Sequence, residues 1–165
     1  MNAAAPPAPS YARLDTLADY QAAFDSLLGR ASREVWLFDV SLQGTFDRPA
    51  RIALLDAFLA GSQFARLRIV LHDATTVTAQ CPRLCALLRR YGEAVTISQT
   101  TESARAVADP LLVVDATHAL RRVHHSSSRS VLISDDAASV RPLHERLAQI
   151  QEASLPAVTA TVLGL

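Results

Sequence analysis

Hydrophobic and polar residues follow two different periods along this chain, and the two periods alternate through its first hundred residues. Apolar positions recur at helical spacing in three segments, at residues 17–28, 49–61 and 82–91. Short apolar runs with the composition of buried strands lie between them, at residues 34–40, 67–71 and 94–98. Glycines follow or end each helical segment, at Gly29, Gly61 and Gly92. The pattern therefore predicts helices and strands in alternating order.

The second half of the chain changes to closely spaced strands followed by one long helix. Strand-like runs stand at residues 111–115, 120–124 and 130–134. Residues 137–153 then present their apolar side chains on one helical face. Alternating elements favour a parallel half built from βαβ units, and clustered strands favour an antiparallel hairpin added to it. We therefore expect an α/β fold with a mixed β-sheet flanked by helices.

The composition limits both the size of the fold and its partners. A chain of 165 residues that is 50% hydrophobic is long enough for one sizeable core and too short for two ordinary domains. We expect an Ala- and Pro-rich disordered tail over residues 1–11 and a single domain over residues 12–165. Sixteen arginines balance sixteen acidic residues, so the chain has no overall positive field for strong nucleic-acid binding or for an anionic membrane.

Targeting signals and cofactor motifs are also missing from the sequence. The first ten residues have neither a basic region nor an apolar core, and no apolar run approaches the roughly 20 residues that span a bilayer. Two cysteines, Cys81 and Cys85, do not make a disulfide framework. We expect a cytoplasmic protein without a membrane anchor, and no cofactor is predicted.

The segment from Pro110 to Asp115, PLLVVD, resembles the signature segment of the phospholipase D superfamily. In that family a His, a Lys two residues later and an Asp five residues beyond the Lys lie on one such strand. When Asp115 takes the place of the Asp, the Lys position falls on Pro110 and the His position on Ala108. The order of elements over roughly residues 30–155 also resembles one half of a phospholipase D-like protein. Small bacterial domains that keep an LVVD…LRR phrase without the His and Lys are similar as well.

The resemblance implies a nucleophilic His, a phosphate-binding Lys and a supporting Asp, and this chain retains only the Asp. Ala108 has no lone pair with which to attack phosphorus, and Pro110 lacks even a backbone donor. No catalytic residue is therefore predicted. Asp115 itself has two interpretations: it belongs to a ligand-binding site, or it is a carboxylate at a strand end that accepts N–H groups of a turn.

The stretch from Ala116 to Ser134 is basic and contains no acidic residue. Guanidinium groups and serine hydroxyls in a short loop can hold a phosphate or carboxylate, and imidazoles add charge below about pH 6.5. The alternative is a solvated hairpin whose arginines protect a sheet edge. With Asp115, the candidate ligand-binding residues are Arg121, Arg122, His124, His125 and Arg129.

Histidine and cysteine are residue types in this chain that can bind a transition metal or act as a nucleophile. Adjacent histidines on a strand point to opposite faces, and no Cys pair or carboxylate stands at zinc spacing near His118 or His124, so no metal site is predicted. Cys81 precedes a helix, where a thiol pKa can be lowered, but its sequence neighbours do not specify a partner base and a structural role is favoured. Cys85 shares the apolar face of its helix.

These observations favour a non-catalytic phospholipase D-like binding or interaction module that recognises a phosphate-bearing ligand or a protein partner. The competing hypothesis is a phosphodiesterase or nuclease whose nucleophile has moved to His124 or His125. A third hypothesis is a structural subunit that stabilises a partner. The resemblance further implies a homodimer, because working sites in that family need two halves and the chain contains one copy of the Asp115 segment.

Overall fold

The computed structural model describes residues 4–163, which form one eight-stranded mixed sheet with helices on both faces. The strands are β1 (Ser10–Leu14), β2 (Glu34–Asp39), β3 (Arg66–Leu71), β4 (Val95–Thr100), β5 (Leu111–Val114), β6 (His118–Arg122), β7 (Ser130–Ser134) and β8 (Ser154–Val158). Their spatial order is β1-β7-β6-β5-β2-β3-β4-β8. Strands β2, β3 and β4 are parallel, and every other neighbouring pair is antiparallel.

The helices link and cover these strands. They are α1 (Leu17–Arg30), α2 (Pro49–Gly61), α3 (Val77–Gln80), α4 (Pro82–Tyr91), α5 (Ala137–Glu152) and α6 (Ala160–Leu163). Short 3-10 turns add Gly92–Ala94 and Glu102–Ala104. Within residues 4–163, none of the helices combines the length and the apolar character that a bilayer-spanning helix needs.

Alternation along the central strands divides the core into two layers. Leu37 of β2 and Leu112 of β5 face a large cluster built with α1, α2 and α4. Phe38 and Leu111 face a smaller cluster that includes Val140, Leu147 and Ile150 of α5. Because successive strand residues point to opposite faces, the nearly continuous apolar runs of β2, β3 and β5 supply both layers at once.

The mixed sheet confirms the expected fold class, and most predicted elements lie within one or two residues of their observed bounds. The predicted strand 120–124 is shifted: β6 begins at His118 and ends at Arg122. Helix α1 continues through Gly29, which was expected to follow it, and ends at Arg30.

Two strands were not predicted, and both lie at the edges of the sheet. Strand β1 begins at Ser10, so the expected disordered tail overlaps it by two residues. Four of its five side chains are exposed, and backbone pairing with β7 holds it in place. Because neither side of β1 is buried, its sequence shows no alternation of apolar and polar residues. Strand β8 contains Pro156, a residue that sheets tolerate at their edges.

Candidate functional site

Asp115 stands directly after β5 and accepts four hydrogen bonds from the segment that leads into β2. Its Oδ2 accepts from the backbone N–H and the hydroxyl of Ser32, each at 2.9 Å. Its Oδ1 accepts from the N–H groups of Arg33 and Glu34, each at 2.8 Å. Burial alone would raise the pKa of this carboxyl, but the four donors outweigh burial and the pKa is lowered. Asp115 therefore ties the start of β2 to the end of β5.

The opposite end of β5 carries the positions that the family resemblance equates with the His and the Lys. Phe38 pairs with Leu111 in the antiparallel register of β2 and β5, which places Asp39 beside Pro110. On the other side, the Arg122 N–H donates to the Pro110 carbonyl at 3.0 Å. Asp39, Pro110 and Arg122 therefore form a row across three strands, on the same sheet face as α1.

Asp39 is a partly buried carboxylate whose one hydrogen bond within residues 4–163 comes from the Val40 N–H, at 2.7 Å to Oδ1. Burial raises its pKa to about 6, against the opposing effects of that N–H and of the Arg122 charge. Sequence reasoning missed Asp39, because an acidic residue at the end of a strand carries no signal of its own. Its importance comes from its neighbours across the sheet.

Arg122 points into the same space from β6. Its Nε donates to the Ser127 carbonyl at 2.9 Å and its Nη2 donates to the same oxygen, so the loop after β6 holds the guanidinium in place. The guanidinium carbon lies 5.2 Å from the centre of the Tyr20 ring. Tyr20 is buried, and burial followed by the charge of Asp39 raises its pKa, so its hydroxyl stays protonated at neutral pH.

A pocket of about 210 Å³ opens beside Asp39 and Arg122, between α1, the chain after β2 and β6. Its polar lining residues are Tyr20, Gln21, Asp39, Ser41, Gln43, Thr45, Arg51 and Arg122. Arg51 is buried, donates to Asp25 and Gln21 at 2.6 Å each, and stacks 4.4 Å from the Phe24 ring centre. Arg51 is therefore an ion-paired wall of the pocket, and it shares the Asp25 carboxylate with Arg48.

Arg121 lies on the other face of β6 and is paired with an acid. Its Nε donates to Asp109 at 2.8 Å, and Arg146 of α5 donates to both oxygens of the same carboxylate, at 3.0 and 2.7 Å. The acid that balances Arg121 stands outside the basic stretch in sequence and adjacent to it in space. Arg129 is exposed in the β6–β7 loop, where its N–H donates to the Ser127 hydroxyl at 3.1 Å.

The paired histidines lie in the loop after β6, close to the Ala108 position. Since β6 ends at Arg122, they do not point to opposite faces of a strand as expected, and their ring centres are 4.2 Å apart. The His124 ring is in hydrogen-bond contact with Ser126, and the His125 N–H donates to the Ala108 carbonyl at 3.0 Å. Partial desolvation, followed by the charges of His124, Arg122 and His72, lowers the pKa of His125.

The structure thus separates the candidate residues into three places. Arg122, His124, His125 and Arg129 share the end of the sheet near Ala108 and Pro110. Arg121 is on the opposite face with Asp109. Asp115 is at the far end of β5, so it does not converge with either imidazole on one pocket.

His72 is a buried residue directly after β3. Its Nδ1 lies 2.6 Å from the Thr100 hydroxyl, and its Nε2 contacts the Val107 carbonyl. A carbonyl only accepts, so this geometry assigns the ring proton to Nε2. His72 thereby joins β3, β4 and the segment before β5.

Neither a reactive cysteine nor a metal centre is found among the described residues. Both thiols are buried, and burial, with the nearby Asp47 carboxylate, raises the pKa of Cys81 to about 11. The N–H groups of Arg83 and Leu84 at the start of α4 are capped by Asp47 and not by Cys81. In residues 4–163, no three His, Cys, Asp or Glu side chains are grouped in a way that could hold a metal ion.

Known structures share this arrangement of sheet and helices. Nuc from Salmonella typhimurium, a phospholipase D family member, matches with a TM-score of 0.60 and 11% identity, over 92% of this chain and 100% of that one. NucT from Helicobacter pylori matches with a TM-score of 0.61 and 11% identity, over 91% and 100% of the two chains. TrmBL2, an archaeal chromatin protein whose structure shows a novel mode of DNA binding, matches with a TM-score of 0.67 and 10% identity.

The last match covers 90% of this chain and 55% of TrmBL2, so the chain spans about half the length of that protein. At such identities these likenesses show the fold, and the fold is that of a phospholipase D-like α/β domain. The chain belongs to the family described as domain of unknown function DUF7931, whose model matches residues 16–162. No curated protein sequence matches it.

Proposed function

We propose that this domain is a non-catalytic phospholipase D-like binding module whose ligand carries a phosphate or another anionic group. One observation carries the proposal: the end of β5 offers Ala108 and Pro110 where the resemblance expects a nucleophile and a phosphate-binding ammonium. A methyl group and a pyrrolidine ring cannot attack phosphorus. The surroundings nevertheless remain polar, with Arg122, His124 and His125 within the same end of the sheet.

The proposed anion-binding surface consists of Arg122, Arg129 and the two loop histidines. Arg122 still has donors to offer, whereas Arg121 is paired with Asp109, which also binds Arg146. With so few uncompensated charges, we expect weak binding that falls as salt is added. If no small anion binds, the proposed ligand is a protein partner that presents an acidic group to the same surface.

A turnover assay tests the proposal. Purified protein incubated with a chromogenic phosphodiester is expected to release no chromophore above a buffer blank. Turnover that disappears in the His125→Ala variant would overturn the non-catalytic proposal. The same assay on Asp115→Asn is the control for a lost fold. Asp115 lies at the far end of β5, so its substitution disturbs the fold without touching the site.

Turnover that depends on His125 would favour the alternative, a phosphodiesterase or nuclease with a relocated histidine nucleophile. A specific contact supports it: the His125 N–H is bonded to the Ala108 carbonyl, so this imidazole stands next to the position of the family's nucleophile. Its lowered pKa keeps the ring neutral, as nucleophilic attack requires. A phosphohistidine trapped on His125 during turnover would establish this reaction.

We also propose that the module is a homodimer. The chain contains one copy of the Asp115 segment, and the resemblance implies that two such halves face each other. Light scattering after size exclusion at micromolar concentration is expected to give about twice 17.8 kDa. A mass near 17.8 kDa across a tenfold dilution series would contradict the dimer.

A further inference from the structure

The space above Pro110 is bounded by two opposite charges that do not touch. Asp39 and Arg122 stand on strands separated by β5, so their backbones are about 10 Å apart at the usual spacing of neighbouring strands. Pro110 lies between them and contributes a short ring without polar atoms. Within residues 4–163, Asp39 forms no salt bridge at 4.0 Å or less, although the charge of Arg122 acts on it.

The guanidinium of Arg122 is held in place, but only some of its N–H donors are bonded within residues 4–163. An arginine has five N–H donors, and the Ser127 carbonyl takes one from Nε and one from Nη2 of Arg122, which leaves three without a partner among residues 4–163. The Tyr20 ring packs against the same guanidinium. A positioned cation with free donors, facing a pocket, is suited to an oxyanion.

We propose that the space between Asp39 and Arg122 binds one oxyanion, a phosphate or a carboxylate group, together with one proton. This inference rests on the proposed function and names the chemistry of its site. An oxyanion that accepts hydrogen bonds from Arg122 meets the Asp39 carboxylate on its other side. Two anionic oxygens in contact repel, and one shared proton converts that repulsion into an O–H···O hydrogen bond. The proton comes from solvent and resides on Asp39 or on the ligand.

The groups that face Asp39 identify it as the one that takes up the proton. Helix α1 supplies Tyr20, which stays protonated because its pKa is raised. Helix α2 supplies Arg51, whose charge is paired with Asp25. Strand β6 supplies Arg122, and β5 supplies only Pro110. The pKa of Asp39, raised by burial to about 6, places its own titration in the accessible range.

Sulfate is the first probe, because it does not titrate near neutral pH and so reports the protein's proton alone. Calorimetry is expected to show binding at least about tenfold tighter at about pH 5 than at about pH 7.5, since Asp39 is mostly protonated at the lower value. Titrations near pH 7 in buffers of different ionisation enthalpy should show about one proton taken up per sulfate. Equal affinity at both pH values without proton uptake would overturn the proposal.

Variants assign the proton and the cation. Asp39→Asn imitates the protonated acid, so it should bind sulfate at about pH 7.5 as tightly as the wild type does at about pH 5. Arg122→Gln should lose binding, while Arg89→Gln, an exposed arginine of α4, is the matched control. Histidines gain charge in the same pH range. The double variant His124→Asn/His125→Asn must therefore retain the proton uptake, and its loss there would overturn the assignment to Asp39.

Pro110→Lys provides a test that does not depend on removing a charge. Its ammonium should pair with Asp39 and take the place of the proton, so sulfate binding should no longer tighten as pH falls, whereas Pro110→Met adds similar length without charge and should weaken binding without removing its pH dependence. A wild-type pH dependence in Pro110→Lys would place the anion elsewhere. Binding that is lost on Arg129→Gln and kept in the Asp39, Pro110 and Arg122 variants would overturn this site and leave the proposed function intact.

Competition at about pH 6 distinguishes the two sources of the oxyanion. Inorganic phosphate that displaces sulfate better than acetate identifies a phosphate-bearing ligand. The reverse order identifies a carboxylate. If neither displaces sulfate, the proposed oxyanion chemistry is wrong.

Discussion

Two aspartates stand at the two ends of β2, and their surroundings differ. Asp115 lies beside the start of the strand and accepts four hydrogen bonds from Ser32, Arg33 and Glu34. Asp39 ends the strand, and its carboxylate accepts one hydrogen bond within residues 4–163, from the Val40 N–H. The pKa of Asp115 is lowered and that of Asp39 is raised to about 6.

The difference shows how the same side chain serves stability at one end and remains available for chemistry at the other. A carboxylate saturated with donors is fixed in its charged form, because protonation would place an O–H on an oxygen that already accepts from those donors. A carboxylate that is buried with few donors is held less firmly in that form and can exchange a proton. In this domain the aspartate that carries the phospholipase D resemblance, Asp115, is the one held by hydrogen bonds.

The largest expected effect is on folding stability at the Asp115 end. Asp115→Asn should lower the free energy of unfolding by about 2–3 kcal/mol, because an amide nitrogen then faces N–H donors that need an acceptor. Asparagine tolerates the positive φ of 52° at this position, so the loss reports the hydrogen bonds and not the backbone. Urea unfolding at neutral pH measures it. Asp39→Asn is the matched variant and should cause no loss; equal losses in both would remove the contrast.

The next effect is the pH dependence of stability at the Asp39 end. The folded pKa of Asp39 is raised from 3.8 to about 6, so its contribution is fully present below about pH 3.8 and is lost as pH rises through about 6. Relative to Asp39→Asn, the wild type should lose about 1–2 kcal/mol over that window, since a pKa unit is worth about 1.4 kcal/mol and the side chain is not completely buried. Urea midpoints measured between about pH 4 and 7 test this. Parallel curves for the two proteins would show that Asp39 titrates normally.

Asp115 should respond to pH in the opposite sense. Its lowered pKa means that its contribution is present above the ordinary aspartate pKa of 3.8 and is lost as pH falls below that value. The same urea series, extended to lower pH with Asp115→Asn as the reference, separates the two carboxylates. The order of the two losses along the pH axis is the measured result.

The smallest effect concerns one of the four donors to Asp115. Ser32→Ala removes the hydroxyl donor and keeps the backbone one, so it should cost about 0.5–1 kcal/mol. Ser41→Ala, just beyond Asp39, removes a hydroxyl whose contact is with exposed Gln43 and should change stability by less than about 0.5 kcal/mol. If Ser32→Ala lowered the free energy of unfolding as much as Asp115→Asn does, Ser32 alone would account for the role of Asp115.

The interior of the fold could be predicted because burial imposes a period on the sequence. The helices that begin at Pro49 and Pro82 and the strands β2, β3 and β7 follow apolar patterns and proline positions that are visible in the chain. Strands β1 and β8 escaped prediction, since edge strands are stabilised by backbone pairing that any side chain permits.

The site could be predicted only in part. The sequence by itself shows that Ala108 and Pro110 cannot serve as nucleophile and cation, and that arginines and histidines follow Asp115, because these are properties of side-chain chemistry. It does not show that Asp109 pairs with Arg121 or that Asp39 faces Arg122 across Pro110. Those pairings join residues far apart in sequence, and only the strand register, which the whole core determines, brings them into one row.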